Sequence, residues 1–140
     1  MRTLDTDLIE KILKVNDIFL KFAQNNIFEG TGLTPTQFNI LGEIIAGNGL
    51  LINDLKEKLI ISAPALSQLL NRMEKAGFIE RKLGKNDKRE IKITPTDHAI
   101  ETYNTINEKY IKIAGEKLAT IKEKDKEIMI KFLDYIENTI

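Results

Sequence analysis

A mainly α-helical chain carrying one small β-hairpin is the fold class this sequence predicts, on three observations. Apolar residues recur at three- and four-residue steps through most of its length, as amphipathic helices require. Thr-Pro pairs, a Ser-Ala-Pro and clustered glycines punctuate those stretches where helices would start and stop. One segment, Phe78 to Thr94, abandons the helical period for mixed apolar and charged positions around a polar tip.

The first helix runs from about Asp5 to Phe28 on this reading. Leu8, Ile12, Val15, Phe19 and Phe22 form its apolar stripe, and Ile9, Leu13 and Ile18 widen it. Glu29-Gly30-Thr31-Gly32 ends it, since two glycines so close favour a break. In Thr34-Pro35-Thr36-Gln37 the threonine can cap a second helix, and the proline suits the first helical position. Gln37 can reach back to complete a capping box. Phe38, Leu41, Ile44 and Ile45 give that helix its buried face, and Gly47-Asn48-Gly49 stops it. Leu50-Leu51-Ile52 is too short to stand alone and reads as a small strand pairing with the later hairpin.

Asn53 or Asp54 opens a short helix holding Leu55 and Leu59, and Ile60-Ile61 turns the chain. Ser62 caps the next helix, Ala63 to Lys75, with Pro64 in its first turn, where a missing N–H is harmless. Leu66, Leu69, Leu70 and Met73 face the core; Ser67, Gln68, Asn71, Arg72 and Lys75 occupy the other face. Gly77 closes the helix as a left-handed cap. Strands Phe78–Leu83 and Arg89–Thr94 then flank the tip Gly84–Lys88. Thr94-Pro95-Thr96-Asp97 repeats the cap-proline device and opens a long helix to about Ile121. Its seam of Ala99, Tyr103, Ile106, Tyr110 and Ile113 suits another helix. After a polar break at Lys122–Asp125, a last helix to Ile140 repeats Ile128, Phe132 and Ile136, with Leu133 beside them.

Composition narrows the functional classes. The 140 residues fit one domain, or a small domain with appended helices, and 42% hydrophobic with 30% charged residues is an ordinary soluble balance. No apolar run approaches the ~18–20 residues of a membrane span, and MRTLDTDLIEK lacks a signal-peptide core. The expectation is a cytoplasmic protein with no membrane partner. Absent cysteine rules out disulfides and thiolate sites. Net charge is zero, but its distribution is not even. Residues 1–61 carry six Lys/Arg against eight Asp/Glu, residues 62–94 carry eight against four, and residues 95–140 carry seven against nine. The cationic middle segment is what a phosphate would meet, because local potential governs such contacts.

That middle segment reads helix, tight turn, helix, basic hairpin. A helix with a polar, uncharged-to-basic face, followed at once by a lysine- and arginine-rich ribbon, suits a DNA major groove and its flanking phosphates. At ~1.5 Å per residue the helix is about 20 Å long, enough to lie in the groove.

The arrangement resembles the MarR family of winged helix-turn-helix transcriptional regulators over almost the whole chain. LTPTQFNIL at 33–41, SAPALSQLLNRMEKAGFIER at 62–81, NDKR at 86–89 and ITPTDHA at 93–99 carry the resemblance. It implies a winged helix-turn-helix DNA-binding domain over 31–97, flanked by dimerisation helices at 1–30 and 98–140. In that family the second helix of the motif enters the major groove, and the hairpin, or wing, contacts backbone and the adjacent minor groove. The Asp-x-Arg wing pattern, here Asp87-Lys88-Arg89, implies a minor-groove arginine at Arg89 held by Asp87. Ile60 stands where the family often has glycine, Lys56 where it often has alanine, and Gln68 where it often has arginine or histidine. A glutamine amide can pair bidentately with adenine, so Gln68 predicts a bias towards an A·T pair.

Each candidate DNA-binding residue has an ordinary structural alternative. Ser62 can offer its hydroxyl and N–H groups to a phosphate, or serve only as an N-cap. Ser67, Gln68, Asn71 and Arg72 face base edges or form a solvated helix face. Arg81, Lys82, Lys85 and Lys88 are phosphate candidates or idle surface cations, and Asp87 is a partner of Arg89 or a turn-former.

An enzyme fares poorly. Gly30-Thr31-Gly32 lacks the third glycine and preceding strand of a dinucleotide fingerprint, and no GxxxxGK[ST] loop occurs. His98 is the only histidine, so the sequence implies no catalytic residue, metal site or cofactor, and His98 reads as a surface or helix-packing residue. The expected partners are double-stranded DNA and a second copy of the chain. The resemblance adds a small apolar or aromatic effector at the helix junctions near Phe38, Tyr103 and Tyr110, which would release DNA. The competing class is a winged-helix module that binds only protein, and a basic ribbon beside a polar helix face argues against it.

Overall fold

The computed structural model describes residues 3–139. Six helices and a small three-stranded antiparallel sheet make up the described chain: the predicted mainly helical class. The described residues divide at 107/108 into two compact units.

In the first unit, α1 (Leu4–Asn26) begins at Thr3, whose hydroxyl accepts the Thr6 N–H. It ends two residues before the expected Phe28. Ile27 and Phe28 leave the helix to enter the core, where both are buried. The stripe read from periodicity is present, yet Leu8, Ile12, Val15 and Phe19 stay exposed, and Ala23 alone of the helix is buried.

Helix α2 (Pro35–Ala46) carries the full capping box. Thr34 Oγ1 accepts the Gln37 N–H at 3.2 Å, and Gln37 Oε1 accepts the Thr34 N–H at 3.0 Å. Replacing Thr34 by alanine should destabilise the fold by ~1 kcal/mol, the worth of such a cap. Urea unfolding of that variant beside Thr36→Ala would measure it; equal midpoints would count against the cap. Leu41 and Ile44 are buried as expected, Phe38 and Ile45 half-buried, and Ile40, absent from the expected face, is buried too. Asn48 at φ +51° and Gly49 at +88° end the helix, as the Gly-Asn-Gly run predicts.

Strand β1 is Leu50–Leu51, pairing with a later strand as predicted, and Ile52 belongs instead to α3 (Ile52–Lys58). That helix starts before Asn53 and has no side-chain cap. A turn leads to α4 (Ala63–Lys75), closed by Gly77 at φ +79°. The Phe78 N–H bonds back to the Met73 carbonyl and the Gly77 N–H to that of Glu74.

Strands β2 (Ile79–Leu83) and β3 (Ile91–Pro95) complete a sheet of order β1-β3-β2. Pro95 is not the first residue of a helix. It lies opposite Ile79 at the end of β3, beyond Ile93, the partner of the first β1 residue Leu50, where only one neighbouring strand remains. Thr96 takes over as cap: its hydroxyl accepts the Ala99 N–H and donates to the Gly77 carbonyl at 2.6 Å. One side chain thus ties the start of α5 (Asp97–Leu118) to the end of α4. Leu55, Leu66, Leu70, Met73, Ile79 and Ile93 form the core between helices and sheet.

The second unit holds the rest of α5 and α6 (Glu123–Thr139). Helix α5 stops at Leu118, so the break is 119–122 and Glu123 already belongs to α6, where it pairs with Lys126 at 2.7 Å. The expected extension to Ile140 lies outside the described residues. Ile128, Phe132 and Leu133 recur at helical spacing but remain exposed. Among the described residues no helix is long and apolar enough to cross a membrane.

Candidate nucleic-acid interface

Helix α4 is oriented by what it buries. Leu66 and Leu70 are 1% exposed and Met73 fully buried, which turns Ser67, Gln68, Asn71, Arg72 and Lys75 outward. Ser62 caps the helix: its Oγ accepts the Ala65 N–H at 3.3 Å, and it remains exposed at the helix start. In the turn before it, Ile60 stands fully in solvent. The motif is therefore a polar helix face held by an apolar anchor, with the amide of Gln68 exposed to solvent.

The hairpin register sets the second half of the site. Arg81 lies opposite Ile93, Lys82 opposite Lys92, and Leu83 opposite Ile91. Strand β3 begins at Ile91 rather than Arg89, so Arg89 and Glu90 belong to the tip. The cause is local. Asp87 Oδ1 accepts the Arg89 backbone N–H at 2.9 Å, its carbonyl accepts the Glu90 N–H, and the Glu90 carbonyl accepts the Gly84 N–H at 2.7 Å. These bonds fold residues 84–90 into a closed turn. Gly84 is required there, because a Cβ on it would come within 2.6 Å of the Asp87 carbonyl oxygen. Asp87 thus orders Arg89 through the backbone. Lys85, Lys88 and Arg89 project from the tip exposed. Below it, Leu51, Ile52, Asn53, Asp87, Arg89, Glu90 and Ile91 line an open cleft of about 420 Å³.

Arg81 is not an idle cation. Its guanidinium binds Glu74 at 2.8 Å and donates to Asn71 Oδ1 at 2.9 Å, joining β2 to the outer face of α4. Strand alternation puts Lys82 on the opposite face, 3.9 Å from Glu80 and directly across from Lys92. Lys92 was absent from the candidates read in the sequence, and only the cross-strand register reveals it. Two like charges so placed repel.

Around this surface, Phe38 stacks on Tyr103 with centroids 4.4 Å apart and meets Phe28 edge-on at 5.4 Å. Tyr103 lies against α2 at Gly42, where a Cβ would come within 3.0 Å of its hydroxyl. Stacking fills the junction between these two rings. His98 stacks on Phe78 at 5.2 Å, the packing role its position suggested. Among the described residues no cluster of three or more His, Cys, Asp or Glu could hold a metal ion.

Comparison with known proteins gives concordant likenesses. Residues 31–90 match the model of the MarR family. The HTH-type transcriptional regulator YwoH of Bacillus subtilis is 29% identical over 127 residues, 91% of each chain. The multiple antibiotic resistance protein MarR of Salmonella typhimurium is 31% identical over 103 residues, 68% of this chain and 72% of that protein. A mutant of MarR from E. coli, solved in complex with operator DNA, superposes with a TM-score of 0.80 at 19% identity. That match covers 96% of this chain and 99% of the other, and shares the fold.

Proposed function

Since this chain belongs to the MarR family of transcription regulators, which are not enzymes, we propose that it binds double-stranded DNA as a homodimeric repressor. The observation that carries the reading is a polar, exposed α4 face joined through Arg81 to a hairpin with a cationic tip. The outward face of α4 supplies uncharged amides and hydroxyls (Ser67, Gln68, Asn71) with Arg72. The closed tip of the hairpin supplies Lys85, Lys88 and Arg89. Amides and hydroxyls read base edges in the major groove, whereas cations neutralise phosphates and position the protein.

In this reading residues 31–97 are the DNA-binding part, with 1–30 and 98–140 the dimerisation helices. The exposed apolar faces of α1 and α6 support a second copy as partner, because they have the spacing of a buried seam and yet are exposed. Two-fold symmetry places the half-sites of a pseudo-palindrome roughly 10 bp apart. Ser62 adds a hydroxyl at the start of α4 for a phosphate, and Asp87 acts by shaping the turn that presents Arg89. Arg81 drops from the phosphate candidates, being already engaged. Release by a small aromatic or apolar effector completes the mechanism. Such a molecule must either displace the Phe38–Tyr103 stack or bind elsewhere.

Selection of bound duplexes from a random pool with purified protein tests the reading directly. Enrichment of an inverted repeat supports it; enrichment of nothing, or protection of one asymmetric half-site, defeats it. Lys82→Ala should weaken binding to all duplexes alike and lower the slope of log K against log salt by about one. A sequence-dependent effect of that variant would remove Lys82 from the phosphate contacts.

A further inference from the structure

Asn71 sits in the middle of the exposed face of α4, and its amide is not free to choose an orientation. A guanidinium has donors only, so the atom that Arg81 Nη2 meets at 2.9 Å must be the amide oxygen. The other arm of the same planar fork is held by Glu74 at 2.8 Å, three residues further along the helix. Arg81 comes from a strand whose register is fixed by five residue pairs. Hence two side chains, Arg81 and through it Glu74, hold the Asn71 amide with its oxygen inward and NH2 outward.

We propose that Arg81 is a positioning residue for sequence readout: it holds the Asn71 oxygen inward and its NH2 outward, which removes the two-bond adenine contact and favours guanine or thymine. The inference rests on the DNA-binding reading above. An unconstrained asparagine favours adenine, accepting from N6 while donating to N7. With its oxygen held inward by Arg81, Asn71 presents its NH2 and can donate to guanine N7 and O6 or to thymine O4. Adenine keeps one acceptor, N7, but its N6 amino group then finds no acceptor on Asn71, and cytosine offers only its amino group. Gln68, one helical turn earlier, carries no such restraint in the structure and keeps both halves of its amide. The two amides of one helix thus read opposite patterns, although their chemistry is the same.

The test is duplex selection with four forms of the full chain: wild type, Asn71→Ala, Asn71→Asp, and Arg81→Met combined with Glu74→Gln. The double change frees the Asn71 oxygen without leaving the Glu74 carboxylate uncovered near phosphates. Asn71→Ala identifies the base position that Asn71 reads, as the one whose preference flattens. Wild type is expected to enrich guanine or thymine there, by about tenfold over adenine, and the double variant to admit adenine at that position alone. Asn71→Asp keeps the Arg81 contact but presents an acceptor, so cytosine should replace guanine or thymine. This arm holds even if the double variant fails to fold. Adenine at that position in wild type, or an unchanged profile in a folded double variant, overturns the inference while leaving DNA binding intact. Enrichment of no duplex by the wild type overturns the DNA reading itself.

Discussion

Arg89→Ala is expected to weaken operator binding by ~1–3 kcal/mol and to leave the unfolding midpoint unchanged. Its side chain is exposed at the wing tip, so the fold loses no packing when it is shortened. The backbone bond that shapes the turn comes from the Arg89 N–H, which alanine retains. The two effects therefore separate. Titration of the selected duplex, with denaturant unfolding beside it, reads both. Equal affinity of the two proteins would retire Arg89 as a contact, and a shifted midpoint would give it a structural role instead.

Phe19→Asp should have the larger consequence, on assembly. Phe19 lies on the α1 stripe and is 44% exposed in the single chain, with Ile12 and Val15 beside it at helical spacing. If that stripe is the seam between two copies, the substitution places one unpaired carboxylate per subunit in an apolar contact. A central aromatic anchor is worth ~2 kcal/mol or more on truncation, and symmetry doubles it to ~4 kcal/mol, about a thousandfold in dimer affinity. Sedimentation equilibrium is the measurement. The core residues Leu55, Leu70 and Ile93 lie on other elements, so circular dichroism should still report a folded winged unit. A Phe19→Asp protein that remains dimeric at wild-type affinity would move the interface elsewhere.

What could be read from the sequence was local. The Thr34–Gln37 box, the Ser62 cap and the Gly77 stop each depend on residues within five positions, so spacing and residue type were enough. Where tertiary structure intervened, the reading slipped. Ile27 and Phe28 continue the apolar period of the first helix but are drawn out of it to fill the core. Pro95 follows a threonine as Pro35 does, yet the sheet takes one and a helix the other. The difference lies in what precedes each: Pro95 closes a paired strand, Pro35 follows a loop.

The site shows the same division. Ser67, Gln68, Asn71, Arg72 and Lys75 were identifiable as outward by period alone, whereas Glu74, also exposed, was not named. That Arg81 would spend its charge on Glu74 and Asn71 was not identifiable, because the pairing needs the angle at which the ribbon packs on the helix. Lys92 was missed because register is invisible until the strands pair. Arg89 was assigned to a strand since its neighbours alternate, whereas the Asp87 carboxylate two residues earlier bends it into the tip.

The cross-strand lysines Lys82 and Lys92 give the sheet a dependence on its ionic surroundings. Backbone pairing keeps their Cα atoms opposite each other, and the Glu80 carboxylate 3.9 Å from Lys82 offsets part of a mutual repulsion of about a few tenths of a kcal/mol. Any polyanion strand lodged between the two ammoniums relieves it, and by mass action the occupied ribbon becomes the sturdier form. Idle and engaged molecules therefore differ in toughness as well as in location, with dilute buffer the harshest medium for the idle one.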